Sequence, residues 1–211
     1  SEHTFALILA AARNLVPAVI GANKGEWREN EDKNRGIELH GKTLGVIGYG
    51  RIGSNVARYA KSFGMKVVVM DPYVQVRQKD GIAQVHELQT LLNQADIVAV
   101  CVHLKEDTKE MIDSKVFSQM RDGAIFINTA RGELVDESAL VAALESGKLS
   151  SAAIDVMTNE QSPDRINSPL IRYSQSNSNL TISPHIAGLT IDSERKAAEQ
   201  SVRNLNSYFK L

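Results

Sequence analysis

The stretch from Gly41 to Tyr73 reads GKTLGVIGYGRIGSNVARYAKSFGMKVVVMDPY. It opens with a short apolar run, Leu44 to Ile47, of the kind found in buried parallel strands. Gly48, Gly50 and Gly53 follow with the spacing GxGxxG. In this arrangement the first glycine permits a tight turn, the second leaves room for a ligand, and the third lets a helix pack on the sheet. The pattern predicts a strand, a glycine turn and a helix.

The second half of the stretch predicts that helix and another buried strand. Apolar residues recur at helical spacing from Arg51 to Phe63, Gly64 ends the run, and Lys66 to Met70 is again apolar. Asp71 follows at the strand end, where a carboxylate can bind ribose hydroxyls and would repel a 2′-phosphate. The unit therefore predicts dinucleotide binding, with NAD favoured over NADP. A glycine turn with a purely structural role is the alternative.

Composition excludes several classes of function. A net charge of −1 over 211 residues gives no electrostatic reason to expect nucleic acid or an anionic membrane as a partner. No segment approaches ~18 uninterrupted apolar residues, so we expect a soluble protein. The single cysteine, Cys101, cannot form an internal disulfide, which suits the cytoplasm. No spacing typical of metal ligands occurs, and no metal is expected.

Four more strands are predicted beyond Asp71, alternating with helices. They are Ile97 to Val102, Ala124 to Asn128, Ser151 to Val156 and Asn179 to Ser183. Six strands with alternating helices predict an α/β fold with a doubly wound parallel sheet, the Rossmann fold, in the usual order 3-2-1-4-5-6. In that order the first, fourth, fifth and sixth strands lie side by side.

Ligands of such sheets bind beyond the carboxyl ends of the strands, and the residues there are informative. Arg131 follows the fourth strand, Asp155 and Glu160 follow the fifth, and His185 follows the sixth. Arg131 could clamp a substrate carboxylate, His185 could protonate a carbonyl oxygen, and Glu160 would favour the protonated imidazole. Each residue alone is more often an ordinary surface residue. Their predicted meeting at one rim favours carbonyl reduction by hydride.

The chain resembles, over nearly all its length, the cofactor-binding part of the D-isomer-specific 2-hydroxyacid dehydrogenases. The stretches that carry the resemblance are Gly41 to Gly53, Ile127 to Asp136, Ala153 to Val156 and Ser183 to Gly188. The resemblance implies hydride transfer between NAD(H) and a 2-hydroxy or 2-keto acid. It also implies that Arg131 binds the substrate, that Glu160 supports the histidine, and that His185 is the acid/base.

The resemblance extends to the cofactor cleft, where Asp155 would meet the nicotinamide carboxamide. The full set of cofactor-binding residues expected is Gly48, Gly50, Arg51, Ile52, Gly53, Asp71, Val102, Thr108, Thr129, Ala130, Arg131, Asp155, His185 and Gly188.

Some positions depart from the family pattern. Thr158 stands where the family usually has a glutamate, and Gln161 where it has a proline, so the assignment of Glu160 rests on its distance from Asp155. Cys101 and His103 stand where a histidine and then a proline are common, which leaves the nicotinamide-side loop open to variation.

The resemblance also predicts the domain organisation. Residues 1–24 would be one interdomain and dimerisation helix, residues 25–189 the Rossmann domain, and residues 190–211 a helix returning to a second, flavodoxin-like lobe largely absent from this chain. The apolar residues Phe5, Ile8, Leu9, Leu15 and Val19 of the first helix predict a homodimer.

Two functions from different classes stay open at this point. The first is an NAD-dependent 2-hydroxyacid dehydrogenase, of which this chain is the cofactor domain and by itself inactive. The second is an NAD-sensing dimeric module similar to certain transcriptional corepressors, which share the fold and motifs.

Overall fold

The computed structural model describes residues 1–28, 31–76 and 81–209. Its strands are β1 (Thr43–Ile47), β2 (Lys66–Met70), β3 (Ala83–Val85), β4 (Ile97–Val100), β5 (Ala124–Asn128), β6 (Leu149–Ile154) and β7 (Leu180–Ile182). They form one seven-stranded sheet in the order β3-β2-β1-β4-β5-β6-β7, and every pairing is parallel. The doubly wound parallel fold is confirmed.

Helices cover both faces of the sheet. They are α1 (Glu2–Ala12), α2 (Leu15–Asn23), α3 (Glu31–Asn34), α4 (Arg51–Ser62), α5 (Leu88–Leu92), α6 (Ser114–Gln119), α7 (Glu137–Glu145), α8 (Pro169–Ser174) and α9 (Ile191–Phe209). Short 3₁₀ turns lie at Gly132–Leu134 and Pro163–Asn167. Two helices begin at capping side chains: Asp136 accepts a hydrogen bond from the Ala139 N–H, and Thr190 accepts one from the Ser193 N–H.

Each face of the sheet has its own apolar core. On one face α5 to α8 pack against the strands, with Phe117 edge-on to Phe126 at 5.2 Å between ring centroids. On the other face α1 and α4 cover the sheet, and Ile8, Val46 and Val56 are fully buried there. Continuous apolar strands such as β4 are explained by this burial on both sides.

The predicted position of the third strand was wrong. The strand at Ile97 pairs directly with β1 and β5 in the middle of the sheet, and the outer place beside β2 belongs to β3. Sequence reasoning missed β3 because it is three residues long and has the polar Gln84 at its centre. The Gln84 side chain accepts a hydrogen bond from the Val76 N–H and donates one to the Val74 carbonyl, so it fastens the loop after β2.

The single helix predicted for residues 2–24 was also wrong, because the chain breaks between α1 and α2. Asn14 adopts a left-handed conformation (φ +48°) and donates a side-chain hydrogen bond to the Arg35 carbonyl. Pro17 has no N–H and could not bond to residue 13 in a continuous helix, but it fits in the first turn of α2. As a result Phe5 and Ile8 are buried against the sheet, whereas Leu15 and Val19 are about half exposed.

No single helix among the described residues is long and apolar enough to cross a membrane. The helices α1 and α2 pass that criterion only as a pair, and their axes differ by 68°.

Candidate active site

The glycine turn after β1 contains two glycines that close packing requires and one glycine, Gly50, that faces open space. A Cβ on Gly48, whose φ is +91°, would lie 2.7 Å from the Cys101 carbonyl oxygen. A Cβ on Gly53 would lie 2.0 Å from the Gly48 carbonyl oxygen, so α4 could not approach the turn. A Cβ on Gly50 would have nothing within 4 Å. The space beside Gly50 lies at the N-terminus of α4, where unpaired N–H groups attract phosphate.

Asp71 lies beside the glycine turn, as the dinucleotide prediction requires. Its Oδ2 accepts a hydrogen bond from the Tyr49 N–H at 2.7 Å, and its Oδ1 accepts from the N–H groups of Tyr73 and Val74 at 2.8 and 3.1 Å. These bonds fix the carboxylate at the end of β2. The Lys105 ammonium lies 5.1 Å from the Tyr73 ring centroid, which links the loops after β2 and β4.

Cys101 supports the floor of the turn and is not reactive. Its N–H donates to the Ile47 carbonyl at 2.7 Å, continuing the pairing of β1 with β4. Burial raises the pKa of the Cys101 thiol to about 12, so the thiol is protonated at neutral pH. The departure from the family pattern at this position therefore supplies a packing residue.

The other predicted cofactor residues lie around the same rim. Arg51 and Ile52 form the first turn of α4, with Ile52 partly exposed, and Val102 packs over Gly48. The Thr108 hydroxyl donates to the His103 carbonyl and accepts from the Lys105 N–H, so it shapes its own loop. At Gly188 a Cβ would meet nothing within 4 Å, so packing alone does not require glycine there.

The segments that follow β5, β6 and β7 are joined side by side. The Asp155 N–H donates to the Asn128 carbonyl at 2.9 Å, and the Ser183 N–H donates to the Ile154 carbonyl at 2.9 Å. These bonds bring the segments with Arg131, Asp155 and His185 to one edge of the sheet.

The loop with Arg131 is held by the buried Asn128. The Asn128 side chain accepts from the Ala130 N–H at 3.0 Å and donates to the Arg131 carbonyl at 2.8 Å. A Cβ on Gly132 would lie 2.1 Å from the Met157 carbonyl carbon, so only glycine lets this loop pack on the segment after β6. The exposed guanidinium donates to the Ala130 carbonyl at 2.6 Å, and a guanidinium has further N–H groups for a bidentate contact.

His185 and Glu160 form a hydrogen-bonded pair through the imidazole Nδ1 and the carboxylate Oε1. An ionised carboxylate only accepts, so Nδ1 carries the hydrogen and Nε2 is the ring nitrogen free to exchange a proton. The Glu160 Oε2 also faces the Met157 N–H at 3.5 Å. The imidazole is 45% exposed, so a reactant can reach it. The pair can act as an oriented acid/base.

Asp155 is wholly enclosed, and its contacts are within the protein. Its carboxylate accepts from the N–H groups of Ile186 and Ala187 at 3.0 and 2.8 Å and from the Ser183 hydroxyl at 2.5 Å. The His3 Nε2 lies 3.2 Å from Oδ1. In this structure Asp155 therefore binds the turn that carries His185, and its contact with a nicotinamide carboxamide stays a prediction.

Sequence reasoning missed two polar residues of the site. No sequence pattern gives His3 a partner, yet His3 is hydrogen-bonded to the Ser183 hydroxyl at 3.0 Å and contacts Asp155, both far away in the chain. Glu137, the first residue of α7, accepts from the Thr158 N–H at 2.6 Å and from the Ser168 hydroxyl at 3.0 Å. An acidic residue in a first helical turn was the only sequence signal, and it indicates helix stabilisation equally well.

The family profile described as D-isomer specific 2-hydroxyacid dehydrogenase, NAD binding domain, matches residues 5–187. The chain belongs to this family. A D-3-phosphoglycerate dehydrogenase of Methanocaldococcus jannaschii is 40% identical over 200 residues, which are 94% of this chain and 36% of that protein. The chain therefore spans about a third of the length of that curated relative.

Solved structures of the family agree with this 2-hydroxyacid dehydrogenase fold. A D-2-hydroxyisocaproate dehydrogenase superimposes with a TM-score of 0.91 at 30% identity, over 99% of this chain and 64% of that one. A D-lactate dehydrogenase from Aquifex aeolicus, solved with NAD and lactic acid, gives 0.84 at 33% identity, over 99% and 65%. The relatives named here are dehydrogenases, so they give no support to the corepressor-like alternative.

A substitution in the glycine turn tests NADH binding separately from the stability of the fold. Gly50→Ala should lower the free energy of unfolding by no more than about 1 kcal/mol, the cost of alanine at an N-cap, because its Cβ meets no protein atom. It should weaken NADH binding at least tenfold, because the Cβ fills the space beside the N-terminus of α4. Urea unfolding and fluorescence titration with NADH measure the two effects.

Gly53→Ala is the matched variant, in which the Cβ would meet the Gly48 carbonyl. It should destabilise the fold by about 1–3 kcal/mol. Wild-type NADH affinity in Gly50→Ala would show that the phosphates do not lie beside this residue.

Proposed function

We propose that the protein to which this chain belongs is an NAD-dependent D-2-hydroxyacid dehydrogenase, which interconverts a 2-hydroxy acid and a 2-keto acid. The observation that carries the proposal is the hydrogen-bonded pair of His185 and Glu160 at the rim that also holds Arg131 and the glycine turn. An oriented acid/base and a carboxylate clamp beside a dinucleotide cleft suit this reaction.

The residues present fit the dinucleotide. Gly50 leaves space for its phosphates at the N-terminus of α4, and Asp71 is fixed where a ribose would lie. When bound, the nicotinamide supplies or accepts the hydride. The proposal includes the remaining predicted cofactor contacts. These are the contacts of Arg51, Ile52, Val102, Thr108, Thr129, Ala130, Asp155 and Gly188.

In the direction of reduction, Arg131 would hold the carboxylate of the keto acid with two parallel hydrogen bonds and so orient the neighbouring carbonyl. His185 would donate the Nε2 proton to the carbonyl oxygen as negative charge develops there. Glu160 stays hydrogen-bonded to Nδ1 throughout and keeps the ring in the orientation that presents Nε2. Oxidation runs the same proton transfer backwards.

The outer helices suggest how the rest of the protein joins this domain. The helix α9 has no buried residues in the described part of the chain, and Val202, Leu205 and Phe209 expose apolar area along it. We assign residues 1–24 and 190–211 to the junction with a second, substrate-selecting lobe, which would cover this face of α9. We place the whole protein in the cytoplasm, where its free Cys101 stays reduced.

Cofactor choice provides one test. A 2′-phosphate about 4 Å from the Asp71 carboxylate would be repelled by ~4 kcal/mol at an effective dielectric near 20, and solvent would reduce this to about 1–2. The chain should therefore bind NADH at least tenfold more tightly than NADPH in fluorescence titrations. Equal affinities would contradict the assignment of Asp71.

The catalytic roles provide a second test, in the full-length protein with a panel of 2-keto acids and NADH. His185→Ala should lower kcat by roughly 10²–10⁴ with little change in NADH affinity, because it removes the acid/base. Arg131→Gln should chiefly raise KM for the keto acid, because it removes the bidentate clamp. Arg172→Gln, which removes an exposed arginine of α8, is the control for loss of a guanidinium.

In the same assay, Glu160→Gln separates the effect of the negative charge of Glu160 from its effect on the orientation of the His185 ring. The amide can still accept from Nδ1, so kcat should fall less than in His185→Ala. Full activity of His185→Ala would remove the mechanism. A protein that binds NADH but turns over no keto acid would favour the corepressor-like alternative.

The oligomeric state provides a third test. We propose a homodimer formed through α2, where Leu15, Val16, Val19 and Ile20 are exposed. Sedimentation should show particles of twice the 23.1 kDa chain mass, and Val19→Asp should shift them towards the monomer. Ile166→Asp, at an exposed apolar residue elsewhere, is the control. A wild-type chain that sediments only as a folded monomer would exclude this dimer.

A further inference from the structure

His3 connects the first turn of α1 to the turn that carries His185. Its Nε2 lies 3.2 Å from the Asp155 Oδ1 and 3.0 Å from the Ser183 hydroxyl. The His3 side chain is 22% exposed and the Asp155 side chain is completely buried. The contact therefore reaches an enclosed carboxylate, where each hydrogen bond matters more than at the surface.

The directions of these hydrogen bonds follow from the chemistry of the groups. A carboxylate accepts only, so the Ser183 hydroxyl donates its hydrogen to Asp155, and the His3 Nε2 donates a hydrogen to the Ser183 oxygen. Two backbone N–H groups, of Ile186 and Ala187, complete the donors. Asp155 thus accepts three hydrogen bonds, and the His3 imidazole lies beside it. Loss of His3 removes the donor to the Ser183 oxygen, and Ser183 is the hydroxyl that bonds Asp155.

The turn needs this support because His185 has an unfavourable backbone conformation. Its φ is +54°, in the left-handed region that residues with a Cβ seldom adopt. Such a conformation is unfavourable and persists only when the surroundings enforce it. The bonds from the next two N–H groups to Asp155 are what enforce it here.

The helix α1 is a rigid base from which His3 can act. Phe5 and Ile8, in the next turn, are buried in the core against the sheet. The neighbouring Thr4 is also buried and bonds to the Thr129 hydroxyl at 2.7 Å, in the loop that leads to Arg131. The first turn of α1 is thus fastened to the sheet on one side and to the rim of the active site on the other.

We propose that His3 is a positioning residue of the reaction: through Ser183 and Asp155 it holds the turn that presents His185 in its catalytic orientation. The kinetic part of this proposal rests on the proposed dehydrogenase function. The structural part, the hold on the His185 turn, does not depend on any activity.

Two amide substitutions test the proposal because they place a donor at different atoms of the imidazole. The side-chain nitrogen of glutamine can occupy the place of Nε2, whereas that of asparagine is limited to the place of Nδ1. Since Nε2 makes both the hydrogen bond to Ser183 and the contact with Asp155, His3→Gln should preserve the turn and His3→Asn should lose it. His40→Asn, at an exposed histidine before β1, is the control.

Amide hydrogen exchange in the 211-residue chain gives the direct readout. In His3→Asn the Ile186 and Ala187 amides should exchange at least tenfold faster than in wild type, while sheet amides such as Val46 and Val100 keep their rates. In His3→Gln and His40→Asn all of these rates should stay within about twofold of wild type. In the full-length protein, His3→Asn should lower kcat about tenfold with KM for the keto acid nearly unchanged, and His3→Gln should restore it.

Unchanged exchange at Ile186 and Ala187 in His3→Asn would overturn the proposal. Equal acceleration of the sheet amides would overturn it too, because His3 would then only hold α1 on the sheet. A wild-type protein that reduces no keto acid would instead refute the dehydrogenase function, and the exchange rates would still decide whether His3 holds the turn.

Discussion

Parallel pairing aligns the carboxyl ends of β1 to β7 along one edge of the sheet, and the rest of the molecule depends on this alignment. The bonds between the ends of β5, β6 and β7 set Asn128, Asp155 and Ser183 side by side. Each of these residues begins a short loop, and the three loops carry Arg131, Glu160 and His185. Because the sheet fixes where these loops begin, groups that are far apart in the sequence start from one edge, and His185 and Glu160 form a hydrogen-bonded pair there.

The buried Asp155 shows how such an edge becomes rigid. An enclosed carboxylate must be fully hydrogen-bonded, so it organises whatever donors surround it. Here the donors are the N–H groups of the turn at residues 186 and 187 and the hydroxyl of Ser183 after β7, which in turn bonds to His3 of α1. One interaction thereby fixes the histidine turn against the core and couples it to a helix at the other end of the sequence.

Short-range pattern predicted most of the fold and failed where a tertiary contact outweighed it. The strands β1, β2 and β5 and the helix α4 follow from apolar periodicity and glycine placement, because each buries its pattern locally. β3 was missed because a three-residue strand gains its stability from pairing with β2 and from the bonds of Gln84. The break before α2 depends on Asn14 and Pro17, whose effect the apolar spacing concealed.

The sequence by itself determined the dinucleotide turn, the carboxylate at the end of β2, and the identity of Arg131, Glu160 and His185 as residues placed after strand ends. These follow from local chemistry and from the parallel order of the sheet. Only the tertiary structure decided that Asp155 faces inward, that Gly132 lies against Met157, and that His3 reaches the turn that carries His185. The reason is that the burial of a polar group and its hydrogen-bond partners depend on segments that are distant in the chain. The periodic spacing of residues within one segment carries no information about such partners.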